Sequence, residues 1–122
     1  MKKFAFTLVF VLMIFLTACG NKGYKNVTAE DAKQLIGNNK LIVLDVRTQE
    51  EYQQGHIPNA TLIPLQELEG RLNELKTDAA YLVVCRSGKR SAQASEILTD
   101  NGFIKVYNMT GGMNNWRYEI EK

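Results

Sequence analysis

Cysteine is scarce in this chain: the 122 residues hold two, Cys19 and Cys85, in unlike settings, and that pair carries no metal-site signature. There is a single histidine, His56, so imidazole chemistry has only one place to sit. Net charge is also small. Fifteen Lys and Arg oppose thirteen Asp and Glu, for +2 overall. Lys2 and Lys3 fall in a segment expected to be removed, and without them thirteen basic residues balance thirteen acidic ones. A near-neutral mature chain excludes a general nucleic-acid binder. No internal repeat and no low-complexity stretch is visible, and after residue 16 no apolar run approaches the length that crosses a bilayer as a helix. With 45% hydrophobic and 23% charged residues, the chain reads as one globular domain with a real core, too short for two.

What is present is organised around Cys85-Arg86-Ser87-Gly88-Lys89-Arg90. The apolar run Tyr81-Leu82-Val83-Val84 precedes it and a helical pattern from Ser91 to Asp100 follows. A cysteine thus stands at the carboxyl end of a buried strand, at the start of a basic loop that leads into a helix. That crevice is where open α/β sheets bind ligands. A helix start presents backbone N–H groups and a favourable dipole to an anion, and the same surroundings lower a thiol's pKa. Arg86, Lys89 and Arg90 add positive charge, so the stretch reads as a cradle for a sulfur anion and an anionic substrate.

The amino end has the form of an export signal. Lys2-Lys3 is followed by an apolar run from Phe4 to Leu16, broken only by Thr7, and then by Leu16-Thr17-Ala18-Cys19. The ending resembles the bacterial lipobox, in which the cysteine is lipidated and becomes the first mature residue. The expectation is a signal peptide over 1–18, a lipidated Cys19 with a short tether over 19–26, and a domain over 27–122 held outside the cytoplasm at the membrane. Along that domain, Thr28 caps a helix that Gly37 ends, and Leu41 to Leu44 is a strand buried on both faces. Thr48 caps a short helix, and Thr61 to Ile63 is a short strand. Leu65, Leu68, Leu72 and Leu75 predict an amphipathic helix over Gln66 to Leu75. Ile104 to Tyr107 is the last strand, Gly111-Gly112 a tight turn, and Met113 to Tyr118 a final helix. Strands alternating with helices imply a mostly parallel sheet covered on both faces.

Three stretches in register resemble one family, rhodanese-like domains. Asp45-Val46-Arg47, Glu51-Tyr52 and Gly55-His56-Ile57-Pro58-Asn59-Ala60 are similar to the family's amino-side motif. Cys85 to Ser91 resembles its active-site loop, and Gly111-Gly112-Met113-Asn114-Asn115-Trp116 its closing motif. The resemblance covers roughly residues 27 to 120 and implies a five-stranded parallel sheet with helices on both faces. It also implies a sulfurtransferase that works through a cysteine persulfide, with a small anionic sulfur donor, a thiol or cyanide-like acceptor, and no metal or organic cofactor. The backbone N–H groups from Arg86 to Arg90 would hold the persulfide. A non-catalytic module that binds sulfur species or a protein partner is a rival reading. So is a cysteine phosphatase or arsenate-type reductase, but those loops run Cys-x5-Arg, one residue longer than Cys85-x4-Arg90.

Other residues admit plainer roles. Asp45 and Arg47 end a strand on the presumed active edge, where they can support the site or simply pair and pin loops. His56 reads as a hydrogen-bonded loop anchor and Trp116 as core packing. Glu50, Glu51, Glu67, Glu69 and Glu74 read as solvated helix faces.

Overall fold

The computed structural model describes residues 23–38 and 40–122. The export signal, Cys19 and residues 20–22 of the expected tether lie outside the described residues. Five parallel strands form one sheet in the order β1-β5-β4-β2-β3, with β1 Lys25–Val27, β2 Ile42–Asp45, β3 Thr61–Leu62, β4 Ala80–Val84 and β5 Lys105–Met109. The helices are α1 Ala29–Gly37, α2 Gln49–Gln54, α3 Leu65–Leu68 and α4 Lys89–Asp100. The central strand β4 has four consecutive buried residues, Tyr81 to Val84, because it is covered on both faces. Alternation along it feeds two cores. Tyr81, Val83 and Cys85 join Leu44, Leu68, Ala94 and Leu98 on the α3 and α4 side. Leu82 and Val84 join Ala29, Ala32, Ile57 and Met109 on the other. This parity sends the Cys85 side chain beneath the start of α4.

Local signals predict two helix starts well. The Thr28 hydroxyl accepts from the Asp31 N–H at 3.1 Å. Thr48 and Glu51 form a capping box: the Glu51 N–H donates to Thr48 Oγ1 at 3.2 Å and the Thr48 N–H to Glu51 Oε1 at 3.0 Å.

Three expectations are corrected. Lys25 and Asn26 do not end a tether but begin the edge strand β1, whose three residues pair with Tyr107 to Met109 of β5. So short an edge strand has no readable alternation; its tie is the backbone ladder plus Asn108 Nδ2 donating to Asn26 Oδ1 at 3.0 Å. The expected helix over Gln66 to Leu75 is one α turn, α3, followed by 3₁₀ turns over Glu69–Glu74, with Arg71 outside helical geometry. Gly70 lies in the middle and weakens a continuous helix, while Arg71 is held by Glu67 and Glu74 at 2.8 and 2.9 Å. The final helix is only a 3₁₀ turn over Gly112–Asn115. Beyond it the tail turns back to the α2–β3 turn, where the His56 N–H donates to Glu121 O at 2.9 Å and the Glu121 N–H to His56 O at 2.8 Å.

Candidate active site

The loop from Cys85 to Gly88 joins β4 to α4, and Gly88 takes φ +102° at the helix cap. That backbone folds the chain over the sulfur: the Gly88 N–H donates to Cys85 Sγ at 3.1 Å, and Sγ lies 3.4 Å from Ser91 Oγ. Cys85 and Ser91 are both completely buried, while Arg86, Ser87 and Lys89 are exposed at the loop mouth. Burial pushes the thiol pKa up, but the Ser91 hydroxyl and the N–H groups of Ser91, Gly88 and Ser87 outweigh it and bring Cys85 below the ordinary thiol value.

The sequence places Ser91 at the end of the stretch that resembles the active-site loop and at the start of a helix, but gives it no role of its own. Its position one turn into a helix that starts over the cysteine is the signal that could have singled it out. Replacing Ser91 by alanine should move the midpoint of the Cys85 alkylation rate upward in pH. An unmoved midpoint would show that the backbone N–H groups alone account for the lowered thiol.

Arg90 is not the free loop cation expected. Its guanidinium is bidentate on Glu51, at 2.8 and 2.9 Å, so Glu51 is not a solvated residue either. This pair joins α2 to the start of α4. Hydrogen bonding from Arg90 outweighs partial burial and draws the Glu51 pKa down to about 2 from 4.5. A folded-state value below the unfolded one stabilises the fold above pH 4.5, and that stabilisation is lost as pH falls through about 2. The thermal midpoint of Glu51→Gln should therefore fall less steeply than that of wild type as the solution is acidified across this window. Parallel curves would refute the assignment.

Asp45 and Arg47 are buried, 1% and 6% exposed, and pair with each other. Arg47 Nε reaches Asp45 Oδ1 at 2.9 Å, Nη2 reaches Oδ2 at 2.8 Å, and the same Nη2 donates to Gly55 O at 2.8 Å. They pin the Gly55–His56 turn to the end of β2. His56 stacks on Tyr52 with ring centroids 3.6 Å apart, and its Nδ1 lies 2.8 Å from Tyr52 O, so it anchors the loop. Trp116 is half-buried against the second core, and its Nε1 donates to Glu119 O at 3.0 Å.

The glycine pair clamps the loop from outside. Met113 N–H donates to Cys85 O at 2.8 Å and Asn114 N–H to Arg86 O at 3.0 Å. Gly112, at φ +56°, lies so close that a Cβ there would stand 2.5 Å from the Cys85 and Arg86 carbonyl oxygens. The closing motif therefore positions the cysteine loop directly.

The family model of the rhodanese-like domain matches residues 28–119. The chain belongs to the rhodanese-like family. A sulfurtransferase of Allochromatium vinosum is 34% identical to this rhodanese-like domain over 85 residues, covering 70% of this chain and 79% of that protein. The thiosulfate sulfurtransferase GlpE of Coxiella burnetii is 29% identical over 94 residues, covering 77% and 88%. YrkF of Bacillus subtilis is 36% identical over 118 residues; the match covers 91% of this chain and only 64% of that protein. Among solved structures, a rhodanese-like domain protein of Staphylococcus aureus superposes with a TM-score of 0.73 at 39% identity, covering 80% of this chain and 96% of that one. The five-stranded parallel sheet with helices on both faces is thus the rhodanese fold.

Proposed function

We propose that this rhodanese-like domain is a sulfurtransferase that carries sulfane sulfur on Cys85, with thiosulfate as one donor. The observation that supports this most is the Cys85 thiol, lowered in pKa and held by the Gly88 N–H and the Ser91 hydroxyl at the start of α4. The thiolate attacks the outer sulfur of thiosulfate. The S–S bond of the donor breaks, and its electron pair leaves on sulfite. The new S–S bond makes Cys85 a persulfide, whose anion the loop N–H groups stabilise. A nucleophilic acceptor, a thiol or cyanide, then takes the outer sulfur and returns the Cys85 thiolate. Two half-reactions through one covalent intermediate give ping-pong kinetics. Arg86 and Lys89, exposed at the loop mouth, attract the anionic donor.

The test is the mass of the intact protein after exposure to thiosulfate, before and after cyanide. One extra sulfur that maps to Cys85, is absent in Cys85→Ser and is removed by cyanide with formation of thiocyanate supports the reading. A sulfur that loads but is not passed on would indicate the non-catalytic binding module instead.

The same proposal includes the cell envelope as the place of work, with Cys19 as the lipid-bearing residue. Its support is the sequence pattern from Lys2 to Cys19. Cys19→Ala should block processing or release the protein from membranes on fractionation. A variant that is processed to the same size as wild type and still sediments with membranes would refute the anchor.

A further inference from the structure

All five strands are parallel, so each starts at one end of the sheet and finishes at the other. Cys85 follows β4 at the carboxyl end. The amino end is a second surface of different character. Of the three large hydrophobics exposed among the described residues, two stand there: Ile104, 70% exposed just before β5, and Ile42, 39% exposed at the start of β2. A groove of about 370 Å³ opens at the same end, where Tyr24 and Lys25 meet Ile104 and Lys105. Both lysines are exposed, and among the described residues neither pairs with a carboxylate. In the turns of this end Lys40 and Lys76 offset Asp78 and Asp100, which leaves Lys25 and Lys105 as surplus positive charge.

The chain also enters the domain at this end. Gly23 packs on the last turn of α4, since a Cβ there would stand 2.9 Å from Thr99 Cβ. Only residues 20–22 separate it from Cys19, and the four peptide steps between them reach at most ~14 Å. A lipid on Cys19 therefore keeps the amino end within that distance of the bilayer surface. So short a tether holds lipid at high local concentration, and a small contact is then enough to form. An exposed isoleucine gains from entering the boundary between headgroups and acyl chains, and lysines beside it gain from anionic headgroups. The twelve residues of α4 separate this end from the cysteine loop, about 18 Å at 1.5 Å per residue.

We infer that the amino end of the sheet is a docking surface for an anionic lipid bilayer, with Ile104 among the headgroups and Lys25 and Lys105 on their phosphates. Docked in this way, the domain carries Cys85 on its far end, open to the aqueous phase. Its sulfur donor and acceptor are then water-soluble molecules rather than ones dissolved in the bilayer. The inference rests on the lipid anchor at Cys19 and is independent of the sulfur chemistry.

The test is lysine footprinting of the mature, lipidated protein in vesicles, with a brief pulse of an amine-acylating reagent read by peptide mass. On vesicles of phosphatidylglycerol and phosphatidylcholine, Lys25 and Lys105 should be labelled about fivefold more slowly than on phosphatidylcholine alone, the scale on which an anionic surface attracts one cation. Lys89, exposed at the mouth of the cysteine loop, should be labelled equally on both. High salt should remove the difference. Ile104→Ser should lose most of the protection, and Ile104→Leu should keep it. Equal labelling of Lys25 and Lys105 on the two vesicles, protection of Lys89 in their place, or protection unmoved by Ile104→Ser would each overturn this docking surface while leaving the anchor intact. An intact mass without acyl chains on Cys19 would instead overturn the anchor and the docking surface together.

Discussion

Replacing Gly112 by alanine is expected to slow sulfur loading of Cys85 severely in a protein that retains its sheet. Two costs coincide at this position. The backbone sits at φ +56°, and the added Cβ would meet the Cys85 and Arg86 carbonyl oxygens and the Arg86 carbonyl carbon at 2.5 Å. The conformational cost for alanine is ~1–2 kcal/mol. The overlap is with backbone, so no side-chain rotation relieves it. Either the loop or the 3₁₀ turn must move, and the bonds from Met113 and Asn114 to the loop carbonyls break. Displacing the loop removes the geometry that holds the Gly88 N–H 3.1 Å from Sγ, so the Cys85 pKa should rise. A loss of ~100-fold or more in the rate of persulfide formation is the expected scale when positioning donors are lost. Gly102→Ala is the matching control: that residue also has positive φ, +92°, but nothing lies within 4 Å of the added Cβ. It should cost a little stability and leave Cys85 loading close to wild type. Similar behaviour of the two variants would show that the contact with the cysteine loop does not matter.

Replacing Arg47 by alanine should cause a large loss of stability. Its partner Asp45 is 1% exposed, so the variant leaves a carboxylate in the interior without its counter-charge, and Gly55 O loses its donor. Breaking a buried pair in this way costs ~3–5 kcal/mol, a large share of the ~5–15 kcal/mol that typically holds a domain together. Urea unfolding is the measurement. Arg47→Lys should recover only part of the loss, because an ammonium cannot serve both carboxylate oxygens and Gly55 O in the planar geometry seen here. A cost below ~1 kcal/mol for Arg47→Ala would mean that the pair stabilises the fold no more than a surface ion pair does.

Much of this architecture is determined by the sequence acting over short distances. The buried run Tyr81 to Val84, the caps at Thr28 and Thr48, and a cysteine between a strand and a helix each depend on residues within a few positions of one another. Backbone sterics, capping bonds and apolar periodicity work at that range. Leucine spacings of three and four over Gln66 to Leu75 suit both a continuous helix and a chain of tighter turns, and Gly70 and Arg71 decide between them. Tertiary structure alone decided the rest. Arg90 reads in the sequence as a loop cation, yet it is spent on Glu51, thirty-nine residues away. Gly112 touches the cysteine loop only because β5 runs beside β4 and delivers its turn to the same edge. Ile120 lies against Gly55 because the tail binds the His56 turn, and β1 exists because β5 offers it an edge. Each of these contacts joins segments far apart in the chain. No local preference encodes them; they form when the packed sheet brings its carboxyl edge, its turns and its tail into one place.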